Sequence, residues 1–270
     1  MKVVVLGPNG MLGSMIVFVG RKRGACIQSI PKSDFCVGRD AIEDLSRLLG
    51  TEKEERVCIV NCIGCIPQRQ YSEEEYIRIN QEFPHELARF CKVNQYGLIH
   101  MSTNCVFSGT KPYCREDNLC DAEDLYGQTK ARGEPSYGLV IRSSIIGAER
   151  HSSAGLLAWF LTNPSPEING FLHQYWNGVT TYELASYMYD TLLEKAWAST
   201  TLHVSSARTL SKYELLESAK RVFQKDIRIH PYECPLRYYT LVSQYELPRK
   251  DIEEQLQDLR MCYDEFMKWH

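Results

Sequence analysis

With 270 residues and 44% hydrophobic composition, the chain can bury one large core, or a core plus a smaller lobe. A net charge of −3, with both signs well mixed, leaves no basic stripe for nucleic acid and no polybasic run for a membrane surface. No apolar stretch reaches the ~18 residues that a spanning helix needs, and Gly7, Pro8, Asn9 and Gly10 interrupt the apolar start with no cleavage site behind it. The expectation is a cytoplasmic protein that engages neither membrane nor nucleic acid. The 11 cysteines lie mainly in apolar segments, as small core residues do. Cys62 and Cys65 have redox or zinc spacing, but no second pair accompanies them and they end a strand instead of opening a helix, so no metal is expected.

In chain order, residues 2–6 form a short Val-rich strand suited to burial on both faces, and residues 11–18 an apolar helix. Strands are predicted at 25–30, 57–62, 97–102 and 138–143, with helices at 41–49, 76–91 and 126–134 between them. The alternation predicts an α/β fold, a Rossmann doubly wound parallel sheet covered by helices. After Gly147 it becomes irregular: a helix at 155–161, a break at 163–166, a helix at 180–193 and a short strand at 201–204. Ser211 then caps a helix running to about residue 223, with Glu214 completing the box. The expected organisation is a dinucleotide-binding domain over 1–150, with 172–205 returning to it, and a smaller substrate lobe from 151–171 and 206–270.

The loop Gly7-Pro8-Asn9-Gly10-Met11-Leu12-Gly13 joins the first strand to the first helix. Glycines at that junction allow a tight turn and close backbone approach to a pyrophosphate, while the helix start offers free N–H groups. The GxxGxxG spacing resembles that of the extended short-chain dehydrogenases. At the end of the second strand, Lys32 and Ser33 suit a 2′-phosphate and favour NADPH, while Asp34 keeps NADH open. Asn61, Cys62, Ile63 and Gly64 end the third strand, where a small-residue turn would border the cofactor.

Tyr126-Gly127-Gln128-Thr129-Lys130 places a phenol and an ammonium on one helix face. A nearby ammonium favours phenolate and would lower the tyrosine pKa towards acid/base use. Upstream, Ser102 and Thr103 end the fourth strand, where a hydroxyl can reach a substrate carbonyl beside the tyrosine.

From Ser102-Thr103-Asn104-Cys105-Val106-Phe107-Ser108-Gly109, through Tyr113, Glu116 and Asp117, to Tyr126, Lys130, Gly133 and Glu134, the chain resembles the dTDP-4-dehydrorhamnose reductase family. The likeness continues through residues 140–144, and more loosely through 178–181 and 202–205. It implies NADPH-dependent reduction of the 4-keto group of a nucleotide-activated 4-keto-6-deoxyhexose. Tyr126 would then protonate the C4 oxygen, Thr103 and Ser102 orient the carbonyl, and Lys130 tune Tyr126 and hold the ribose. A nucleotide sugar is the expected partner, and a homodimer is compatible with the sequence. Arg142 ends the fifth strand and either meets substrate or pairs with a carboxylate.

Two positions depart from the family pattern: Asn104 stands for an aspartate and Cys105 for a bulky tyrosine. Bifunctional epimerase/reductases that make GDP-fucose or UDP-rhamnose carry a cysteine at the place of Cys105, whose thiolate would abstract the proton at C3 or C5. The ordinary alternative is a small buried cysteine. Epimerisation also needs a second proton donor, for which His151 and His173 are candidates, and Trp176 is a candidate wall for sugar or base. A reading from another class is a non-catalytic NADP-binding subunit, because the regulatory subunit of methionine adenosyltransferase resembles the same family. Thr103, Tyr126 and Lys130 favour an enzyme.

Overall fold

The computed structural model describes residues 1–50, 56–150, 152–245 and 250–269. Strand β1 (Lys2–Leu6) leads through residues 7–10 into helix α1 (Met11–Lys22). Next come β2 (Cys26–Ile30), α2 (Asp44–Leu49), β3 (Val57–Asn61) and α3 (Glu73–Tyr76). A π turn over Ile77–Glu82 continues α3 directly into α4 (Phe83–Val93). Strand β4 (Gly97–Met101), helix α5 (Leu125–Arg132) and strand β5 (Leu139–Arg142) complete the regular half. The second half holds β6 (Ile145–Ile146), α6 (Leu156–Thr162), β7 (Glu167–Phe171), β8 (Gln174–Trp176), β9 (Val179–Thr180), α7 (Thr181–Tyr187) and β10 (Thr200–His203). It ends with β11 (Leu210–Ser211), α8 (Lys212–Phe223), β12 (Arg228–Tyr232), β13 (Arg237–Tyr239) and α9 (Ile252–Lys268).

Among the described residues the main sheet has the order β10-β5-β4-β3-β1-β2, and its neighbours are parallel. From β1 the chain steps outward to β2, then crosses back to lay β3 on the other side of β1. That reversal opens a crevice beyond the carboxyl ends of β1 and β3, where sheets of this kind bind ligands. Side chains alternate across the pleat, so Val3, Val5, Cys58 and Val60 pack with α1 and the later helices. Val4, Leu6 and Ile59 face Phe83 and Leu87 of α4. Burial on both faces is why these strands read as continuous apolar runs.

Several elements depart from the sequence expectation. The helix expected at 76–91 begins at Glu73, where Ser72 and Glu75 form a capping box. The helix expected at 180–193 is α7, a π turn over Met188–Leu192 and a 3-10 turn over Leu193–Lys195. The second half also builds a small sheet, β11-β8-β13, and the pairs β12-β7 and β6-β9. Helix α9 was not anticipated; its Phe266 packs edge-on against Phe18 of α1, 5.3 Å between ring centres. Among the described residues no helix is long and apolar enough to cross a membrane.

Candidate active site

The first strand-to-helix turn is shaped for close approach. Gly7 has a φ of +74°, and a Cβ there would press on the Cys62 and Ile63 backbone at 3.2 Å. A Cβ on Gly13 would lie 2.2 Å from the Gly7 carbonyl oxygen. Gly10 caps α1 without a side-chain hydrogen bond, so the first-turn N–H groups keep no intrahelical acceptor. Gly10, Met11, Leu12 and Gly13 line a cavity of about 690 Å³ at the strand ends. Glycine cradle, free N–H groups and helix dipole together fit a dinucleotide pyrophosphate. Gly7 acts from behind, through its backbone, while Asn9 is exposed outside the lining.

Cys62, Ile63 and Gly64 border the same cavity. Asn61 does not: it is fully buried, donates from Nδ2 to His100 Nδ1 (3.1 Å), and accepts from the Ile63 N–H (3.1 Å). Its role is to shape the turn. Asn80, on the π turn, clamps the Cys65 backbone, accepting from its N–H (2.9 Å) and donating to its carbonyl (3.1 Å). Burial pushes the thiols of Cys62 and Cys65 up to about 12 and about 11, which makes them poor redox nucleophiles. Lys32 and Ser33 are exposed on the turn after β2, outside the cavity lining. The Ser33 hydroxyl donates to Asp34 (2.8 Å), and Arg39, missed in the sequence, donates to the Ser33 carbonyl (3.3 Å).

The structure brings Thr103, Tyr126 and Lys130 to one wall of the cavity. Thr103 opens a 3-10 turn over Asn104–Val106, its hydroxyl oxygen accepting from the Cys105 N–H (3.1 Å). Asp124 caps α5 by accepting from the Gly127 N–H (2.8 Å), and thereby fixes the start of the helix that carries Tyr126. The Lys130 ammonium donates to the Met101 carbonyl at the end of β4 (2.6 Å). Burial pushes Lys130 down to about 8, opposed by Glu134 and the two thiols.

Tyr126 corrects an expectation. Its pKa is raised, chiefly by desolvation and then by Cys105, while the Thr103 hydroxyl offsets this in part. The resting pair is a neutral phenol beside an ammonium, which suits proton donation. Ser102 borders the cavity, but its hydroxyl donates to Glu134 (2.6 Å). Arg142 does not line the cavity; its guanidinium donates to both Glu134 oxygens (2.8 and 2.7 Å). The structural alternative for Arg142 is therefore the one observed.

Asn104 and Cys105 line the cavity beside Thr103. Burial raises the Cys105 thiol, and the Lys212 ammonium acts in the opposite direction. Lys212, at the start of α8, rests over the Tyr239 ring (5.2 Å), and neither residue was singled out in the sequence. Both come from segments that only tertiary packing delivers to this wall. Trp176 is buried in the lining and donates from Nε1 to Ser144 (2.7 Å), so it is a fixed wall. His173 sits outside the lining and pairs with Glu233 (2.5 Å). His151 lies outside the described residues.

Residues 1–235 match the family model for the RmlD substrate binding domain. The chain is similar to a dTDP-4-keto-6-deoxy-D-glucose reductase of Streptomyces niveus, 26% identical over 235 residues, covering 83% of this chain and 79% of the relative. It is also similar to a dTDP-4-dehydrorhamnose reductase of Streptomyces griseus, 29% identical over 153 residues, which span 52% of this chain and 48% of that protein. The fold matches the crystal structure of dTDP-4-dehydrorhamnose reductase from Bacillus anthracis in complex with NADP, with a TM-score of 0.81 at 17% identity, covering 96% of this chain and 98% of the other. With that family model matching most of the sequence, the chain belongs to the RmlD substrate binding domain family.

Proposed function

We propose that this chain is an NADPH-dependent reductase of the 4-keto group of a nucleotide-linked 4-keto-6-deoxyhexose. The observation that carries the reading is that Thr103, Tyr126 and Lys130 line the same cavity as the α1 cradle. The reductase names of the Streptomyces relatives support the substrate class. NADPH, when bound, supplies the hydride. Residues 10–13 would hold its pyrophosphate, and Lys32 with Ser33, on the turn after β2, would meet a 2′-phosphate. The Thr103 hydroxyl orients the keto oxygen, and the neutral Tyr126 phenol delivers the proton to it. Lys130 stabilises the phenolate left behind and binds the ribose. Within this reading, 151–171 and 206–270 form the substrate lobe, whose small sheet also takes in β8 and whose α9 also packs on α1, and the rest of 172–205 belongs with the dinucleotide-binding part.

A second reading adds epimerisation at C3 or C5, favoured by the Cys105 thiol and Lys212 ammonium sharing one wall region. In it the Cys105 thiol first passes its proton to the Lys212 amine, the resulting thiolate removes a proton beside the keto group, and the Lys212 ammonium, in place of the histidines, donates on the other face.

The test is incubation of the pure protein with NADPH and dTDP- or UDP-4-keto-6-deoxyglucose, with and without an added epimerase. Loss of nicotinamide absorbance with either sugar supports the reductase, and no loss in any mixture refutes it. Deuterium entry from heavy water at C3 or C5, abolished in Cys105→Ala, supports the second reading; no entry removes it.

A further inference from the structure

Glu134, just beyond α5, carries a buried carboxylate that does not border the cavity, yet it ties the ends of β4 and β5 to the exit of α5. Its Oε1 accepts from the Ser102 hydroxyl (2.6 Å) and from Arg142 Nε (2.8 Å), and its Oε2 accepts from Arg142 Nη2 (2.7 Å). The Glu134 and Arg142 side chains are only 11% and 7% exposed. A buried ion pair adds little net stability, because desolvation offsets the attraction. What this one supplies is registration. Ser102 immediately precedes Thr103 after β4, Arg142 ends β5, and Glu134 lies four residues beyond Lys130. Arg142 also donates from Nη1 to the Glu116 carbonyl (3.3 Å) and lies over the Phe107 ring at 5.3 Å, so the pair cannot turn as a unit.

We propose that Glu134 is a positioning residue for the catalytic set: it fixes Ser102, and through it Thr103, against the exit of α5, and it sets a carboxylate four residues beyond Lys130. The inference rests on the roles that the reductase reading gives Thr103 and Lys130. The groups facing Lys130 support the electrostatic part. Cys62 and Cys65 are held protonated by burial, and burial keeps His100 neutral on β4. Glu134 is the group that most favours the charged ammonium, and its pairing with Arg142 tempers that effect.

Glu134→Gln removes the charge and keeps one oxygen to accept from Ser102 and Arg142 Nε, at the expense of the second acceptor that Arg142 Nη2 uses. NADPH affinity is read by fluorescence from neutral to alkaline pH, which needs no sugar. Wild-type affinity is expected to fall as Lys130 loses its proton near pH 8. In the variant that fall moves to lower pH by about half a unit or more. If Glu134→Gln does not fold, the double variant Glu134→Gln/Arg142→Met removes both charges, and the fall still moves to lower pH, by less because the Arg142 charge goes too. Ser102→Ala leaves the pH profile in place but lowers kcat with a 4-keto sugar nucleotide by about 3-fold or more, because Thr103 is less well held. A folded charge-removed variant with the wild-type profile overturns the proposal, as does Ser102→Ala with wild-type kcat. If NADPH binds with the expected profile and no sugar is reduced, the reductase reading falls while the charge role of Glu134 stands.

Discussion

The backbone of Gly127 is pressed against the carbonyl of Cys105, so closely that a Cβ on residue 127 would lie 2.2 Å from that oxygen. This contact seats α5 on the 3-10 turn that Thr103 opens. It sets the separation of the hydroxyl and the phenol. Gly127→Ala must push the helix outward, and a displacement near 1 Å is enough to lower kcat/KM by about 100-fold. NADPH binding should suffer far less, since the α1 cradle is untouched; equal losses in both measurements would contradict this account.

Tyr126→Phe removes the proton donor and keeps the ring. Turnover should fall by roughly 100-fold or more, as for loss of a general acid. Stability should change little, and near-normal turnover would remove Tyr126 from the mechanism.

The pH dependence follows from the two shifts. Tyr126 is held above its ordinary range and stays protonated across neutral and mildly alkaline pH. Lys130 is pushed down to about 8. A basic group acts while protonated, so kcat/KM should be level below pH 8 and fall as pH rises through it. A profile that instead rises through this region would mean that the neutral amine is the active form.

Gly13→Ala would set a methyl group 2.2 Å from the Gly7 carbonyl oxygen. The cradle must open, and NADPH affinity should fall by about 10-fold or more in a titration. Thr103 and Tyr126 are far along the chain from this turn, so the saturating-cofactor kcat should be less affected.

Arg142→Met alone leaves Glu134 buried without its partner. Unfolding measurements should show a loss of about 3–5 kcal/mol. The double variant Glu134→Gln/Arg142→Met should recover much of it, and a double variant no more stable than the single would contradict this account.

The central sheet was legible because β1 and β3 are buried on both faces and bounded by glycine or small-residue turns. Tyr126 and Lys130 were legible because both sit on one short helix, where spacing alone decides facing. Lys212 and Tyr239 were not, since α8 and β13 reach the wall by packing that no local pattern encodes. The position of Arg142 at a strand end was readable; its commitment to Glu134 instead of substrate depends on how the strand end meets the exit of α5. Helix α9 did carry a signal that went unread. Asp251 and Glu254 form a capping box, and Ile252, Leu256, Leu259 and Phe266 recur at helical spacing.

The π turn at Ile77–Glu82 shifts phase. A helix advances about 100° per residue, and a π turn accommodates one residue more than the regular spiral does. The two halves of this long helix are therefore rotated against each other, so that Phe83 and Leu87 address the core while Asn80 addresses the Cys65 loop. Gly133 nests against the Asn80 carbonyl at the same spot, where any Cβ would collide. Deleting one residue from the turn would restore an even spiral at the expense of the cavity wall. Cofactor-pocket shape and core packing are thus geared together through a single surplus residue.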